Sequence, residues 1–293
     1  MRFRNGAMEA AGKRYITHNS KSDVFTIYGL GDLHIGSAAC AKHEIQKTVQ
    51  KIKDDPFTFW VGVGDYADFI SFRDRKRFDP STIAPDITIA DMGKLGDVLN
   101  RQVCEMFRPI ADKCLGLCFG NHELKYEVEH EQMDRHVWLC RELGVPNLRY
   151  SALMDIVFVR AKGNQPKLLM ECKKAACHRT QFRLYAHHGA GSACTPGGKL
   201  NRLIGFMNAF DADIYFIGHV HDQKGQRLTM ISADETCTRL ISRDKIGVIT
   251  GSYLKTYAQG ITTYGEQRGY APVPLGAAFV RITPETRQIT AEV

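Results

Sequence analysis

Five short motifs in this 293-residue chain follow apolar runs and carry residues able to bind metal or move protons. They are "GDLHIG" at 31–36, "GDYAD" at 64–68, "GNHE" at 120–123, "HHG" at 187–189 and "GHVH" at 218–221. Together they supply Asp32, His34, Asp65, Asn121, His122, His187 or His188, His219 and His221. Carboxylate oxygens and imidazole nitrogens in this mixture suit manganese, iron or zinc, and no motif contains a cysteine. A lone Asp-x-His or Gly-His-x-His is readily explained as a turn residue beside a surface histidine. Five such motifs, each after an apolar run, argue for one shared site. Two metals about 3.5–4 Å apart need a carboxylate between them. Asp65 is the candidate, because Asp32 is already paired with His34 on its own loop.

Regular elements must carry these motifs to one place. "VFTIYGLGD" (24–32), "FTFWVGVGD" (57–65) and "CLGLCFGNHE" (114–123) read as strands that run into them. The spacing of Ile45, Val49 and Ile52 predicts a helix over 41–55, and further helices are expected over 91–110, 131–143 and 199–210. "MDIVFVRAK", "KLLMECK", "FRLYAHHG" and "ADIYFIGHVH" read as strands, and so do "RLTMISA", "KIGVITGSY", "AAFVRIT" and "QITAEV" after about 226. A βαβαβ front half and a strand-rich back half predict one α/β domain with two packed sheets. Ligands of open α/β sheets bind beyond the carboxyl ends of the strands, where all five motifs fall. Their glycines let the backbone turn sharply there.

The bulk composition is that of an ordinary globular protein, 44% apolar and 24% charged. No uninterrupted apolar run approaches membrane-spanning length, so no membrane partner is expected. The basic N-terminus lacks an apolar stretch followed by a small-residue cleavage site, so no secretory signal is expected and the location is read as cytoplasmic. Residues 1–22 are read as an N-terminal extension outside the core, and 23–293 as the domain. Nine cysteines with no Cys-x-x-Cys pair read as reduced thiols. "CKKAACH" at 172–178 lacks the second half of a structural zinc site. A net charge of +7 permits a polyanionic partner without requiring one.

The ordered set Asp-x-His, Gly-Asp-x-x-Asp, Gly-Asn-His-Glu, His and Gly-His-x-His resembles the calcineurin-like metallophosphoesterase superfamily, over about Phe25 to Asp222. The resemblance implies an α/β fold of the two-sheet αββα sandwich type. It implies a hydrolase with two divalent metal ions, manganese foremost and iron or zinc as alternatives. Asp32, His34 and His221 would hold one metal, Asn121, His219 and a histidine of "HHG" the other, and Asp65 would bridge. Related sequences with a single histidine before the glycine favour His188; His187 is the alternative, and the other of the two would support the ligands or touch substrate. His122 would be catalytic, as general acid or as a stabiliser of charge at the scissile phosphate. Asp68 and Glu123 would orient the ligands. Val220 stands where threonine is usual, at a position that is not a ligand. The implied reaction is attack of a metal-activated hydroxide on phosphorus, without a covalent phosphoenzyme.

The substrate is less legible. "SFRDRKRF" at 71–78 follows directly on "GDYAD", and its Arg73, Arg75, Lys76 and Arg77 are candidates to grip a phosphodiester backbone. Phe72 and Phe78 would stack on bases or anchor the loop. The plain alternative is a solvated loop. "HHGAGSACTPGGKLNRL" at 187–203 is a Gly-rich loop entering a helix, where the helix N-terminus with Lys199 or Arg202 would meet a phosphate. Tyr253 and Tyr257 are candidates to line the cleft. The loop around "HHG" resembles family members from phage and prophage genomes or near DNA-repair nucleases, an analogy that does not fix substrate. The expected function is a di-metal phosphodiesterase acting on DNA, RNA or nucleotides. The alternatives are a phosphomonoesterase for a nucleotide or phosphoprotein, and a non-catalytic scaffold, against which His122 argues.

Overall fold

Residues 3–4, 7–8, 10–130, 134–163, 165–173 and 177–293 are described by a computed structural model. Its elements are Lys13–His18 (β1), Phe25–Gly31 (β2), Lys42–Asp54 (α1), Thr58–Gly64 (β3), Leu95–Phe107 (α2) and Cys114–Cys118 (β4). Asn121–His130 (α3), Arg135–Leu143 (α4), Asn147–Arg149 (β5), Ser151–Arg160 (β6), Lys167–Leu169 (β7) and His178–His187 (β8) follow. Pro196–Ala209 (α5), Ile214–Ile217 (β9), Gln223–Ala233 (β10), Leu240–Thr250 (β11), Phe279–Thr283 (β12) and Gln288–Glu292 (β13) complete the frame.

Two sheets result, a six-stranded one in the order β13-β12-β2-β3-β4-β5 and a seven-stranded one in the order β10-β11-β9-β8-β6-β1-β7. Strands β2, β3 and β4 are mutually parallel, as are β8, β9 and β11. Parallel pairing puts the carboxyl ends of neighbouring strands at one edge, which gathers the motifs. β3 is buried at every position, because both faces of its sheet are covered. Phe25, Ile27, Phe59 and Val61 pack against Ile156, Phe158, Phe182 and Phe216 between the sheets. On the outer side of the first sheet, Trp60 meets Ile52, Leu99 and Phe107 from the α1–α2 layer. On the outer side of the second, Tyr185 and Tyr215 meet Leu203 and Met207 of α5. The architecture is the expected helix–sheet–sheet–helix sandwich.

Four expectations need correction. The N-terminal segment 1–22 is not all outside the core: β1 pairs parallel with β6, and Ile16 is fully buried between the sheets. Its charged residues disguise it, since Arg14 is buried by donating from Nε to the Leu115 carbonyl at 2.8 Å. The strand expected over 114–123 stops at Cys118, and Asn121 opens a helix that was not anticipated. The helix expected over 131–143 is Arg135–Leu143; residues 131–133 lie outside the described residues. The strand "KLLMECK" is confined to Lys167–Leu169, and the 172–178 cysteine run lies partly outside the described residues.

His136, on α4, is 3% exposed, with Nε2 lying 3.2 Å from the Leu117 carbonyl. Burial pushes its pKa down to about 4, against ~6.5 in an unfolded chain. The folded state therefore prefers the neutral ring. The associated stability is complete above pH ~6.5 and is lost as the pH falls from there through the folded value, on the order of 3 kcal/mol in all. The expected result is a melting temperature that falls more steeply between pH 6.5 and 4 for wild type than for His136→Leu. Parallel profiles for the two proteins would remove His136 from the acid response.

Candidate active site

β2 and β3 end in register, with Gly31 opposite Gly64. The next residue of each, Asp32 (φ 49°) and Asp65 (φ 53°), is left-handed, and so are His34 (φ 50°), His219 (φ 72°) and His221 (φ 45°). Each such residue costs on the order of 1–3 kcal/mol and persists only where the surroundings over-determine it. Five of them on one rim mark a place built for side-chain direction. The glycine before Asn121 has a steric reason. A Cβ on Gly120 would lie 2.1 Å from Asp65 Oδ1 and 2.6 Å from Asp65 N. Gly120→Ala must therefore displace Asp65, and metal affinity is expected to fall about 10–100-fold, as when supporting groups of metal sites are altered. Metal titration of the folded variant measures it.

Around this rim the donors form linked groups. Asp32 Oδ1 lies 3.2 Å from His221 Nε2, and His34 Nε2 lies 3.1 Å from the same nitrogen. His188 Nε2 is 2.9 Å from Asn121 Oδ1 and 3.3 Å from Asp65 Oδ2. Ligand atoms of Asp32, His34 and His221 lie within 4.8 Å of one another, as do those of Asp65, His188 and His219, and those of His34, Asp65 and His122. His34 and Asp65 each belong to two of these groups, which links all three.

The donor set fits divalent cations. Asp32 Oδ1 is buried and accepts no hydrogen bond, although His221 stands near it, and its Oδ2 is occupied by the backbone N–H of His219 at 2.8 Å. An orphaned carboxylate oxygen facing imidazole nitrogens, with an amide oxygen beyond and no thiolate, is what a hard or borderline cation takes. The electrostatics agree. Burial alone would raise the Asp65 carboxyl, but the His188 and His122 rings hold it well below the usual carboxylate range. Burial likewise opposes charge on His188, yet Asp65 raises it to about 9. The buried carboxylates draw positive charge into this edge of the sandwich.

The supporting groups are close by. His34 Nδ1 lies 3.0 Å from Asp68 Oδ1, which fixes the ring and leaves Nε2 for the site. Glu123 accepts from the backbone N–H groups of Asp65 at 2.9 Å, Tyr66 at 2.7 Å and Gly120 at 2.8 Å. Burial first, and then Asp65, raises its pKa to about 7. Glu123→Ala would orphan three buried donors and is expected to cost about 3 kcal/mol or more, read as a lower urea midpoint. Of the adjacent histidines, only His188 reaches the donors. His187 faces the opposite side of β8, 4.5 Å from the Phe206 ring, and its Nδ1 accepts from Gly189 N at 2.7 Å. Side chains of successive strand residues point to opposite faces, which separates the two.

His122 is held three ways. Its backbone N–H donates to Asp65 Oδ1 at 2.9 Å, its Nδ1–H donates to the Asp68 carbonyl, and its Nε2 accepts from Arg77 Nη1 at 3.2 Å. Arg73 donates to the Glu129 carbonyl at 2.9 Å, while Arg75 is exposed. Arg202 lies against Gly191, whose carbonyl is 2.9 Å from His219 Nε2. Lys199 turns inward instead, 9% exposed, with Nζ 3.4 Å from the His221 carbonyl and 3.5 Å from Asp222 Oδ2. Tyr253 does not line a cleft: it is fully buried and its hydroxyl donates to Thr48 Oγ1 at 2.8 Å. Its backbone N–H and the Ser252 hydroxyl instead donate to the Asp32 carbonyl, at 2.9 and 3.0 Å. That buttress, and Asp74 beneath Arg77, were not singled out from sequence; the one acidic residue inside a basic run was the available signal for Asp74.

A two-sheet sandwich presenting aspartate, histidine and asparagine donors at one edge defines a metal-dependent phosphoester hydrolase. The chain matches the calcineurin-like phosphoesterases over residues 25–223 and belongs to that family, whose members use a dinuclear metal centre. No curated protein matches it. Among solved structures it is similar to a conserved uncharacterized protein, a predicted phosphoesterase, from Streptococcus pneumoniae TIGR4, at 12% identity over 89% of this chain and 84% of that one, with a TM-score of 0.33. It is also similar to a metallophosphoesterase from Sphaerobacter thermophilus, at 11% identity over 92% of this chain and 88% of that one, with a TM-score of 0.36. Among the described residues no helix is long and apolar enough to cross a membrane.

Proposed function

We propose that the protein is a phosphodiesterase acting on nucleic acid or nucleotides. In this reading Asp32, His34 and His221 hold one divalent ion, Asn121, His188 and His219 hold the other, and Asp65 serves both. Manganese is the first choice and iron or zinc the alternatives, since the same donors accept all three. Bound there, the ions supply Lewis acidity and a nucleophile at neutral pH. The chain's own residues do the rest. Asp68 and Glu123 fix ligand geometry. His122, tied at Nδ1 to the Asp68 carbonyl, presents Nε2 toward the departing oxygen, and the doubly protonated ring gives up its Nε2 proton to it.

The observation that carries the diester reading is the anchoring of the 71–78 loop. Ser71 Oγ lies 2.8 Å from His130 Nε2, Arg73 is tied to the Glu129 carbonyl, and Arg77 reaches His122. A solvated loop has no need of such ties to the catalytic helix. They fix the loop against α3 and hold Arg77 beside the site, where with Arg73 and Arg75 it would meet a polyanion. Arg202 would offer a further cation near His219. Nine unpaired cysteines favour a reducing, cytoplasmic setting.

The test compares hydrolysis of bis(p-nitrophenyl) phosphate and p-nitrophenyl phosphate with added Mn²⁺. Preference for the diester supports the reading, and single- and double-stranded DNA then follow as substrates. Preference for the monoester overturns it in favour of a phosphatase.

A further inference from the structure

Asp74 is 3% exposed, yet it sits in the middle of the basic run 71–78. Its Oδ2 accepts from Arg77 Nε at 2.5 Å and from Lys125 Nζ at 2.6 Å. One buried carboxylate thus joins a loop arginine to a lysine on α3, the helix that begins with Asn121 and His122. Lys125 has Glu129 as a second, looser partner at 3.5 Å. Arg77 has five N–H bonds to give. One goes to Asp74 and one to His122 Nε2 at 3.2 Å. Among the described residues no protein acceptor takes the other three. The free part of the fork therefore lies against the ring that the scissile group must approach.

The remaining groups near Arg77 point the same way. Asp68, another carboxylate on which Arg77's charge acts, is engaged by His34 at 3.0 Å and is 3.7 Å from His122 Nδ1. The two cations on Asp74 differ in reach: Arg77 faces the catalytic ring, while Lys125 lies one helical turn beyond Asn121 and is about two-fifths exposed. A planar guanidinium suits two oxygens of one phosphate, and a lysine suits a single charge at a neighbouring one.

We propose that Asp74, Arg77 and Lys125 form a phosphate clamp: Arg77 binds the non-bridging oxygens of the scissile phosphate, Lys125 the adjacent phosphate of a polymer, and Asp74 positions both. The Lys125 half rests on the phosphodiester reading above; the Arg77 half stands for a monoester as well. Arg77 exchanges its bond to His122 for the phosphate, which frees Nε2 to carry a proton and face the leaving oxygen. Asp74 acts only through the two cations.

The experiment measures kcat and KM on bis(p-nitrophenyl) phosphate with Mn²⁺ for Arg77→Ala, Arg77→Lys, Asp74→Asn and, as a control, Lys51→Ala from the exposed side of α1. Arg77→Ala is expected to lower kcat about 10²–10³-fold, the scale of losing one preorganised donor to the transition state. Arg77→Lys should recover part of that, and added guanidinium should restore activity to Arg77→Ala alone. Asp74→Asn should lower kcat about tenfold, a smaller loss because the guanidinium is loosened rather than removed. Lys51→Ala should match wild type. A kcat for Arg77→Ala within twofold of wild type, or equal losses in Arg77→Ala and Arg77→Lys without guanidinium rescue, overturns the Arg77 role and leaves loop support in its place. For Lys125, binding of single-stranded DNA is followed against salt in the Asp65→Asn background. Lys125→Ala should reduce the slope of log K on log[salt] by about 0.7; an unchanged slope overturns that half. If wild type prefers the monoester, the diester reading and the Lys125 half fall together, while the Arg77 variants are read on p-nitrophenyl phosphate.

Discussion

Replacing Asp65 with asparagine is expected to lower hydrolysis of bis(p-nitrophenyl) phosphate by at least about a hundredfold, the upper range seen when even a supporting partner of a metal ligand is removed. Asp65 is the carboxylate shared by two donor groups. Asparagine keeps its shape and retains one oxygen, which can still accept the His122 N–H now made to Oδ1 at 2.9 Å. It loses the charge that both proposed metal positions would use, and it turns an N–H₂ toward either His188 or the centre. Metal content per chain should fall together with kcat, while circular dichroism stays that of the folded protein. A variant with full metal content and wild-type kcat would remove Asp65 from the centre.

His122→Ala separates proton transfer from metal binding. Here kcat is expected to fall about 10²–10⁴-fold, the range for a positioned general acid, with metal content unchanged. The loss should depend on the leaving group. p-Nitrophenolate departs readily without a proton, so the deficit on the aryl diester should sit at the low end. A sugar alkoxide departs poorly, so the deficit on DNA should approach the high end. Equal losses on both substrates would argue that His122 stabilises phosphoryl charge instead of protonating the departing oxygen. The two variants thus divide the site into parts that hold metal and a part that handles the proton.

Much of this site was legible in the chain alone. A parallel sheet reads as apolar runs, and ligand-bearing loops follow its strand ends, so "GDLHIG", "GDYAD" and "GHVH" disclose their location through local pattern. The glycines are legible for the same reason: close approach of Gly64, Gly120 and Asp65 leaves no room for a Cβ. Other features were hidden because they depend on partners distant in sequence. "GNHE" looked like the tail of a strand, yet Asn121–His130 is a helix whose first turn packs under Asp65 through Glu123. "KRYITH" read as part of an extension outside the core, because a buried arginine is recognisable only with its carbonyl partner, 101 residues away.

Residue types, order and spacing determined the donor set, the strand-end rim and the two-sheet fold, since each rests on periodicities of two to four residues and on glycine at sharp turns. Tertiary structure alone decided that His188 rather than His187 joins the donors, that Tyr253 is a buttress, that Lys199 turns inward, and that Arg77 and Lys125 share Asp74. The physical reason is the same in each case. Side-chain direction at a strand end, and the charge a buried carboxylate can support, are set by atoms from other elements, and those neighbours exist only once the two sheets have packed.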